Sequence, residues 1–257
     1  MVERITSLQN PRIKDLVRLA DKPAERRERG VILIEGAKEL AHARAAGFQV
    51  DALFVCPEIG EAAPAADGAA VYEVSRAVFA RIAVRDDSGG VVALARPRET
   101  TLDAIALGTA PLVFVLEGVE KPGNLGAILR TADAVGAAAV VVCDPRCDLW
   151  NPNVIRASVG TVFTVPTVTT TSEAALAWLR ARGLRVAAAT PEGATPLWDA
   201  ALGGPLALVF GTEHEGLGPA WLAAADVRVQ IPMRGRNDSL NVSVAVGVLA
   251  YEALRRR

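Results

Sequence analysis

Apolar residues recur along this chain in two rhythms. Between Asn10 and Ala20, Ile13, Leu16, Val17 and Ala20 fall on one helical face with charges between them, which predicts an amphipathic helix. Short apolar runs at 31–34, 52–55, 71–74 and 90–95 predict strands. Helices are expected over 37–46, stopped by Gly47, and over 76–82. A Pro/Ala/Gly loop occupies 57–68. This alternation predicts a small α/β domain over residues 1–98. Arg96-Pro97-Arg98 then opens a linker, set at 99–109.

The rhythm restarts more strongly over residues 110–257. Strands are expected at 112–116, 139–143, 185–189, 206–210 and 227–231. Helices are expected over 124–135, 172–182 and 239–256, the last with Ser239 or Asp238 as its N-cap. A short helix at 153–158 follows the turn signal Asn151-Pro152. Continuous apolar strands alternating with helices point to a parallel sheet covered on both faces.

Composition narrows the function classes. With 51% hydrophobic and 22% charged residues among 257, a sizeable core is expected and wholesale disorder is not. The formal net charge of −1 argues against a polyanion partner only if charge is uniformly spread. It is not: Arg4, Arg12, Lys14, Arg18, Lys22, Arg26, Arg27 and Arg29 crowd the first thirty positions. A solvated helix face explains such runs more often than a binding surface does. The N-terminal sequence lacks the apolar core of a signal peptide, and no apolar run reaches the ~18 residues of a spanning helix, so no membrane partner is expected. Cys56, Cys143 and Cys147 form no framework, which fits a reducing cytoplasm. Neither His42 nor His214 lies near them, so no metal site is expected.

Three polar or glycine-rich segments follow apolar strands, where open α/β sheets place ligands. The first runs Glu117-Gly118-Val119-Glu120-Lys121-Pro122-Gly123-Asn124-Leu125-Gly126 into a helix carrying Arg130. Its helix N-terminus favours an anion, although a plain strand–helix turn with a surface arginine is the reading this segment alone favours. The second, Phe210-Gly211-Thr212-Glu213-His214-Glu215-Gly216-Leu217-Gly218, sets two carboxylates in a glycine-rich loop. The third runs from Ile231-Pro232-Met233 to Ser239-Leu240-Asn241-Val242-Ser243. Capping accounts for Ser239 but leaves Asn241, a poor helix former, unexplained. No Walker A loop, dinucleotide fingerprint or Ser–His–Asp arrangement is present. The residues alone therefore give an α/β protein with a polar site at its strand ends.

In this order and spacing, the three segments resemble the motifs of the SpoU (TrmH-like) RNA 2'-O-ribose methyltransferases of the knotted SPOUT superfamily. Pro122 to Gly126 with Arg130-Thr131-Ala132 resembles the first motif, Phe210 to Glu213 with Gly216-Leu217 the second, and Ile231-Pro232-Met233 with Ser239 to Val244 the third. Asn153-Val154-Ile155-Arg156-Ala157-Ser158 matches a segment usually found between the first two, and Lys121 stands where many members carry an acid. The N-terminal part is similar to the family's ribosomal-protein-like α/β RNA-binding domain, through Ile5-Thr6-Ser7, Asn10 and Ile34-Glu35-Gly36.

The resemblance implies a deep trefoil knot in the C-terminal domain, a cytoplasmic homodimer, and S-adenosylmethionine held largely by backbone near Ala189, Gly211, Ile231, Met233 and Leu240. It implies methyl transfer to a ribose 2'-OH, the group that distinguishes RNA from DNA. Arg130 has been cast as the base in such enzymes. Taking a proton from a guanidinium at pH 7 costs at least ~7 kcal/mol, at about 1.36 kcal/mol per unit. The expectation here is that Arg130 holds the RNA phosphate and polarises the 2'-oxygen. Asn124, Ser239 and Asn241 are expected to position ribose and cofactor, Glu213 to orient Arg130 or its own loop, and Arg156 to add a second contact to RNA. Ribosomal RNA is favoured over transfer RNA. The competing readings are a tRNA methyltransferase, a non-catalytic RNA-binding protein on the same fold, and a nucleotide-dependent enzyme on an ordinary doubly wound fold.

Overall fold

The computed structural model describes residues 2–60, 65–83, 88–191 and 194–257. The first elements are β1 (Glu3–Ile5), α1 (Pro11–Asp21), α2 (Pro23–Arg29), β2 (Ile32–Glu35), α3 (Ala37–Ala45), β3 (Val50–Val55), β4 (Ala70–Val74), α4 (Arg76–Ile82) and β5 (Val91–Ala95). They build a five-stranded sheet in the order β1-β4-β3-β5-β2. It is parallel at β1/β4 and β3/β4, and antiparallel where β5 meets β2 and β3. The Asn10 side chain accepts from the Arg12 amide at 2.9 Å, and Pro11 takes the first helical position, where its missing N–H costs nothing. Ile13, Leu16 and Leu19 of α1 and Val78, Phe79 and Ile82 of α4 share one buried cluster with Leu33, Phe54 and Val74 of the sheet.

A 3-10 turn at Leu102–Ala104 precedes β6 (Leu112–Glu117), α5 (Pro122–Ala134), β7 (Ala139–Cys143), α6 (Pro152–Ala157) and α7 (Thr161–Thr164). Then follow β8 (Thr167–Thr170), α8 (Ser172–Ala181), β9 (Arg185–Ala189), β10 (Thr195–Pro196), β11 (Leu206–Phe210), α9 (Pro219–Ala224), β12 (Val227–Gln230) and α10 (Val242–Arg255). The second sheet has the order β10-β12-β9-β11-β6-β7-β8, and every neighbouring pair is parallel. Strand side chains alternate between faces. Val113, Val141, Val186 and Val209 therefore pack with Trp178 of α8 and Trp221 of α9. On α5 and α10, which pack on each other, Leu125, Ile128, Leu129, Val246, Leu249 and Ala250 are buried.

Two compact units result, the chain up to Arg98 with Asp148–Thr164, and Glu99–Cys147 with Val165–Arg257. The sequence reading kept 110–257 whole, whereas Asp148–Thr164 clusters with the first unit. Side-chain packing is the reason. In the first unit Phe48 meets the Trp150 ring at 5.5 Å and the Phe163 ring at 5.0 Å, both edge-on. Arg26, only 2% exposed, pairs with Asp148 at 2.9 Å and donates to the Leu19 carbonyl at 2.6 Å. His42 Nδ1 lies 3.1 Å from the Val159 carbonyl. Among the described residues, no helix is long and apolar enough to cross a membrane.

Candidate active site

The order β12-β9-β11-β6 sets the carboxyl ends of four parallel strands side by side. The three polar segments read from the sequence follow β6, β11 and β12, so sheet order alone brings them together. The loop after β11 folds on itself: the Thr212 amide donates to Gly216 at 3.0 Å and the Gly216 amide to Thr212 at 3.2 Å. A Cβ at Gly211 would collide with the Gly216 backbone, so only glycine permits this approach. Glu117 ties the loop to β6 by accepting from the Gly218 amide at 2.7 Å.

A cavity of ≈ 440 Å³ opens at these strand ends. Ala189, Gly211, Ile231, Met233 and Leu240, the five residues assigned to the cofactor, all line it. Glu213 and Ser239 line it as well, with Thr190, Pro191 and Gln230, which the sequence reading did not single out. The volume falls in the range of small-molecule sites, ~300–1,000 Å³. Glycine loops expose backbone donors and acceptors, and Glu213, Glu215 and Asp238 add acidic groups to the wall. This donor set suits a compact cationic ligand such as a sulfonium. A smaller niche of ≈ 20 Å³, room for about one water, shares Gly211, Glu213 and Val242 with it and adds Lys121 and Asn124.

Glu213 stands between the two spaces and gathers three side chains. Lys121 Nζ and Asn124 Nδ2 both donate to its carboxylate, and Asn241 Nδ2 lies 3.3 Å from Oε1. Asn241 Nδ2 also donates to Asn124 Oδ1 at 3.2 Å. The hydrogen bond from Lys121 is the main cause holding the Glu213 carboxyl below its usual range. Burial works against it, while Asn124 and the charges of Lys121 and His214 add to the lowering. Glu213 is accordingly an ionised acceptor at neutral pH.

Two assignments change. Asn241, not Ser239 or Asp238, caps α10: its side chain accepts from the Ser243 amide at 3.0 Å. Ser239 stays outside the helix, exposed, and donates to Asp238 at 3.1 Å. Glu213 does not hold Arg130. Its carboxylate is occupied by Lys121 and the two amides. Arg130 is exposed on α5, with no hydrogen bond or ion pair to a described residue, and it lines neither space. Arg156 belongs to the first unit, where it donates to Asn153 at 2.8 Å. Lys121 is the member of the network whose role the sequence reading missed. A signal was present, because a cation at the N-cap of α5 opposes the helix dipole unless an acid joins it. Among the described residues no group of His, Cys, Asp and Glu is arranged to hold a metal ion.

Comparison with known proteins gives the chain its relatives. The family model for SpoU rRNA methylases matches residues 111–251, and that for the MRM3-like substrate binding domain matches 10–93. A 23S rRNA (guanosine-2'-O-)-methyltransferase, RlmB, of Ralstonia nicotianae is 42% identical over 181 residues, 68% of this chain and 73% of the relative. The 23S rRNA (guanosine(2553)-2'-O)-methyltransferase RlmP of Bacillus subtilis is 29% identical over 250 residues, 97% of this chain and 98% of its own. Among solved structures, an AdoMet-bound rRNA methyltransferase from Sinorhizobium meliloti superposes with a TM-score of 0.90. It is 32% identical and covers 99% of this chain and 98% of its own.

Proposed function

The chain belongs to the SpoU rRNA methylase family, and from that premise we propose that it methylates a ribose 2'-oxygen of ribosomal RNA with S-adenosylmethionine as donor. The observation that carries this reading is the Asn124–Glu213–Asn241 cluster at the edge of a ligand-sized cavity. S-adenosylmethionine supplies the electrophilic methyl group when bound. The backbone around Ala189, Gly211, Ile231, Met233 and Leu240, which lines the cavity, would hold it there. This explains the lack of a side-chain fingerprint in the sequence.

Transfer then requires a ribose oxygen held in line and its proton removed. Asn124 and Asn241 have their amide groups oriented by Glu213 and the α10 cap, so both can fix the ribose without reorganising. Ser239 lines the cavity with an exposed hydroxyl and contacts the same ligands. The solvent-facing guanidinium of Arg130 takes the phosphate flanking the target and stabilises the developing alkoxide. Arg156 adds a phosphate contact from the first unit, which serves as the RNA-binding domain.

The chain passes over β9 to reach β12 and returns to lay α10 on α5 and β11. This crossing pattern supports the trefoil knot. An apolar stripe left exposed along α10 supports a homodimer. Ribosomal RNA as substrate implies work in the cytoplasm. Calorimetry should detect stoichiometric S-adenosylmethionine binding. A tritiated methyl group should pass to bulk rRNA, with a new 2'-O-methyl site mapped by comparison with RNA lacking the gene. Transfer to tRNA alone would redirect the substrate assignment. Cofactor binding with no transfer to either RNA would leave a non-catalytic RNA binder.

A further inference from the structure

Lys121 occupies an unfavourable place for a cation. It is the N-cap of α5 and its side chain makes no cap hydrogen bond, while the positive end of the helix dipole lies beside it. Its ammonium instead reaches Glu213 across the niche. The polarity of the network explains what this accomplishes. Asn241 Oδ1 is consumed by the Ser243 amide and hydroxyl, at 3.0 and 2.6 Å, so its Nδ2 must face inward. That group meets Asn124 Oδ1, which turns Asn124 Nδ2 toward Glu213. Every member donates toward Glu213, and the cluster keeps one orientation only while Glu213 remains an acceptor.

We propose that Lys121 is a positioning residue for methyl transfer, anchoring Glu213 as the fixed acceptor on which the amides of Asn124 and Asn241 converge. The proposal rests on the reading of this cluster as the methyl-transfer site. Lys121 acts through Glu213 and does not line the larger cavity. The charged and titratable neighbours are few. His214 and Glu215 follow Glu213 in its own loop, and Arg146 is engaged by Glu120 at 2.5 Å and Glu215 at 3.8 Å. Glu117 and Glu120 are the other ionisable residues lining the niche, and Asp238 lies on the wall of the larger cavity. Among the described residues, Lys121 is the cation paired with Glu213. A protonated Glu213 would carry an O–H donor into a ring already full of donors, so the arrangement holds above the Glu213 pKa and fails below it.

The test compares Lys121→Met and Lys121→Arg with the wild-type chain in tritiated methyl transfer to rRNA between pH 5 and 8. Lys121 is 62% exposed at its side chain, and thermal melts should show both variants folded. Lys121→Met should lower kcat about tenfold or more, with S-adenosylmethionine Kd unchanged within about twofold. Its loss should deepen toward pH 5, because removing the ammonium raises the Glu213 pKa and moves the acid limb up. Lys121→Arg should restore both kcat and the profile. A rise in KM for RNA with kcat and profile unchanged would make Lys121 a phosphate contact and overturn the proposal. An equal loss at every pH, or no loss, would also overturn it. A wild-type chain that transfers no methyl group would overturn the functional reading itself, and this role with it, so the control separates the two failures.

Discussion

With its Oδ1 taken by Ser243, Asn241 has only its Nδ2 left for Asn124 and Glu213. Asn241→Asp separates the two duties, since aspartate caps a helix as well as asparagine but turns a donor into a second carboxylate against Glu213. That variant should keep the α10 cap and its helix content by far-UV circular dichroism, and lose turnover about a hundredfold or more. Asn241→Ala should lose turnover and also about 1 kcal/mol of stability with the cap. An Asn241→Asp chain with normal turnover would remove Asn241 from the site. Arg130→Ala should bind S-adenosylmethionine normally while methyl transfer falls about a hundredfold or more; retained turnover would reject the phosphate clamp. At this scale the sequence showed which residues converge but not which bonds they make. Asn241 was marked as unexplained by capping, yet it is the cap, because Leu240 stays out of the helix to line the cavity. The Glu213–Lys121 pair joins loops 92 residues apart, a separation that no local pattern encodes.

Most strands that position the site were legible because their central residues are apolar and buried: β7, β9 and β11 match their expected bounds, and β6 runs one residue longer, into Glu117. Elements without that signal were missed. In β8, the run Thr167–Thr170 reads as polar, and α2, Pro23–Arg29, is charged on nearly every position and offers no apolar face. Helix α9 and β10 are too short to show a period. One connection between elements can be tested by pH. Asp226, between α9 and β12, accepts from the Val186 amide at 2.7 Å and from Arg180 at 3.0 and 3.1 Å. Burial raises its pKa, but the Val186 amide, Arg180 and the charge of Arg185 together hold it below its usual value. A carboxyl depressed in the folded state adds stability above its unfolded pKa and loses it as pH falls through the folded value. Asp226→Asn should therefore cost about 1 kcal/mol near neutral pH, after allowing for its partial exposure, or about 2–4 °C in Tm. The gap should begin to narrow as pH falls below about 3.9 and close only below the depressed folded value. A gap that persists there would assign the loss to packing rather than charge.

Asp148–Thr164 shows what a linear reading of domains cannot reach. Val154 and Ile155 make the segment apolar, and its packing with β2 and α3, the aromatic contacts to Phe48, the buried Arg26–Asp148 pair and the His42–Val159 contact group it with the first unit. The proposed homodimer can be tested at a definite surface. On α10, Val246, Leu249, Ala250 and Ala253 are buried, while Val244 (50% exposed), Val248 (37%), Tyr251 (55%) and Leu254 (40%) follow one another at spacings of four and three on a side that remains uncovered. A helix apolar on both sides needs cover on both, and a second copy supplies an identical stripe, as an isologous interface requires. The wild-type chain should therefore sediment at micromolar concentration as a dimer of its 26.9 kDa subunit. Val248→Asp combined with Tyr251→Asp introduces charges at the centre of the stripe without touching the buried side. That variant should run as a folded monomer by far-UV circular dichroism and light scattering. A wild-type monomer, or a double variant that remains dimeric, would show that α10 is not the interface.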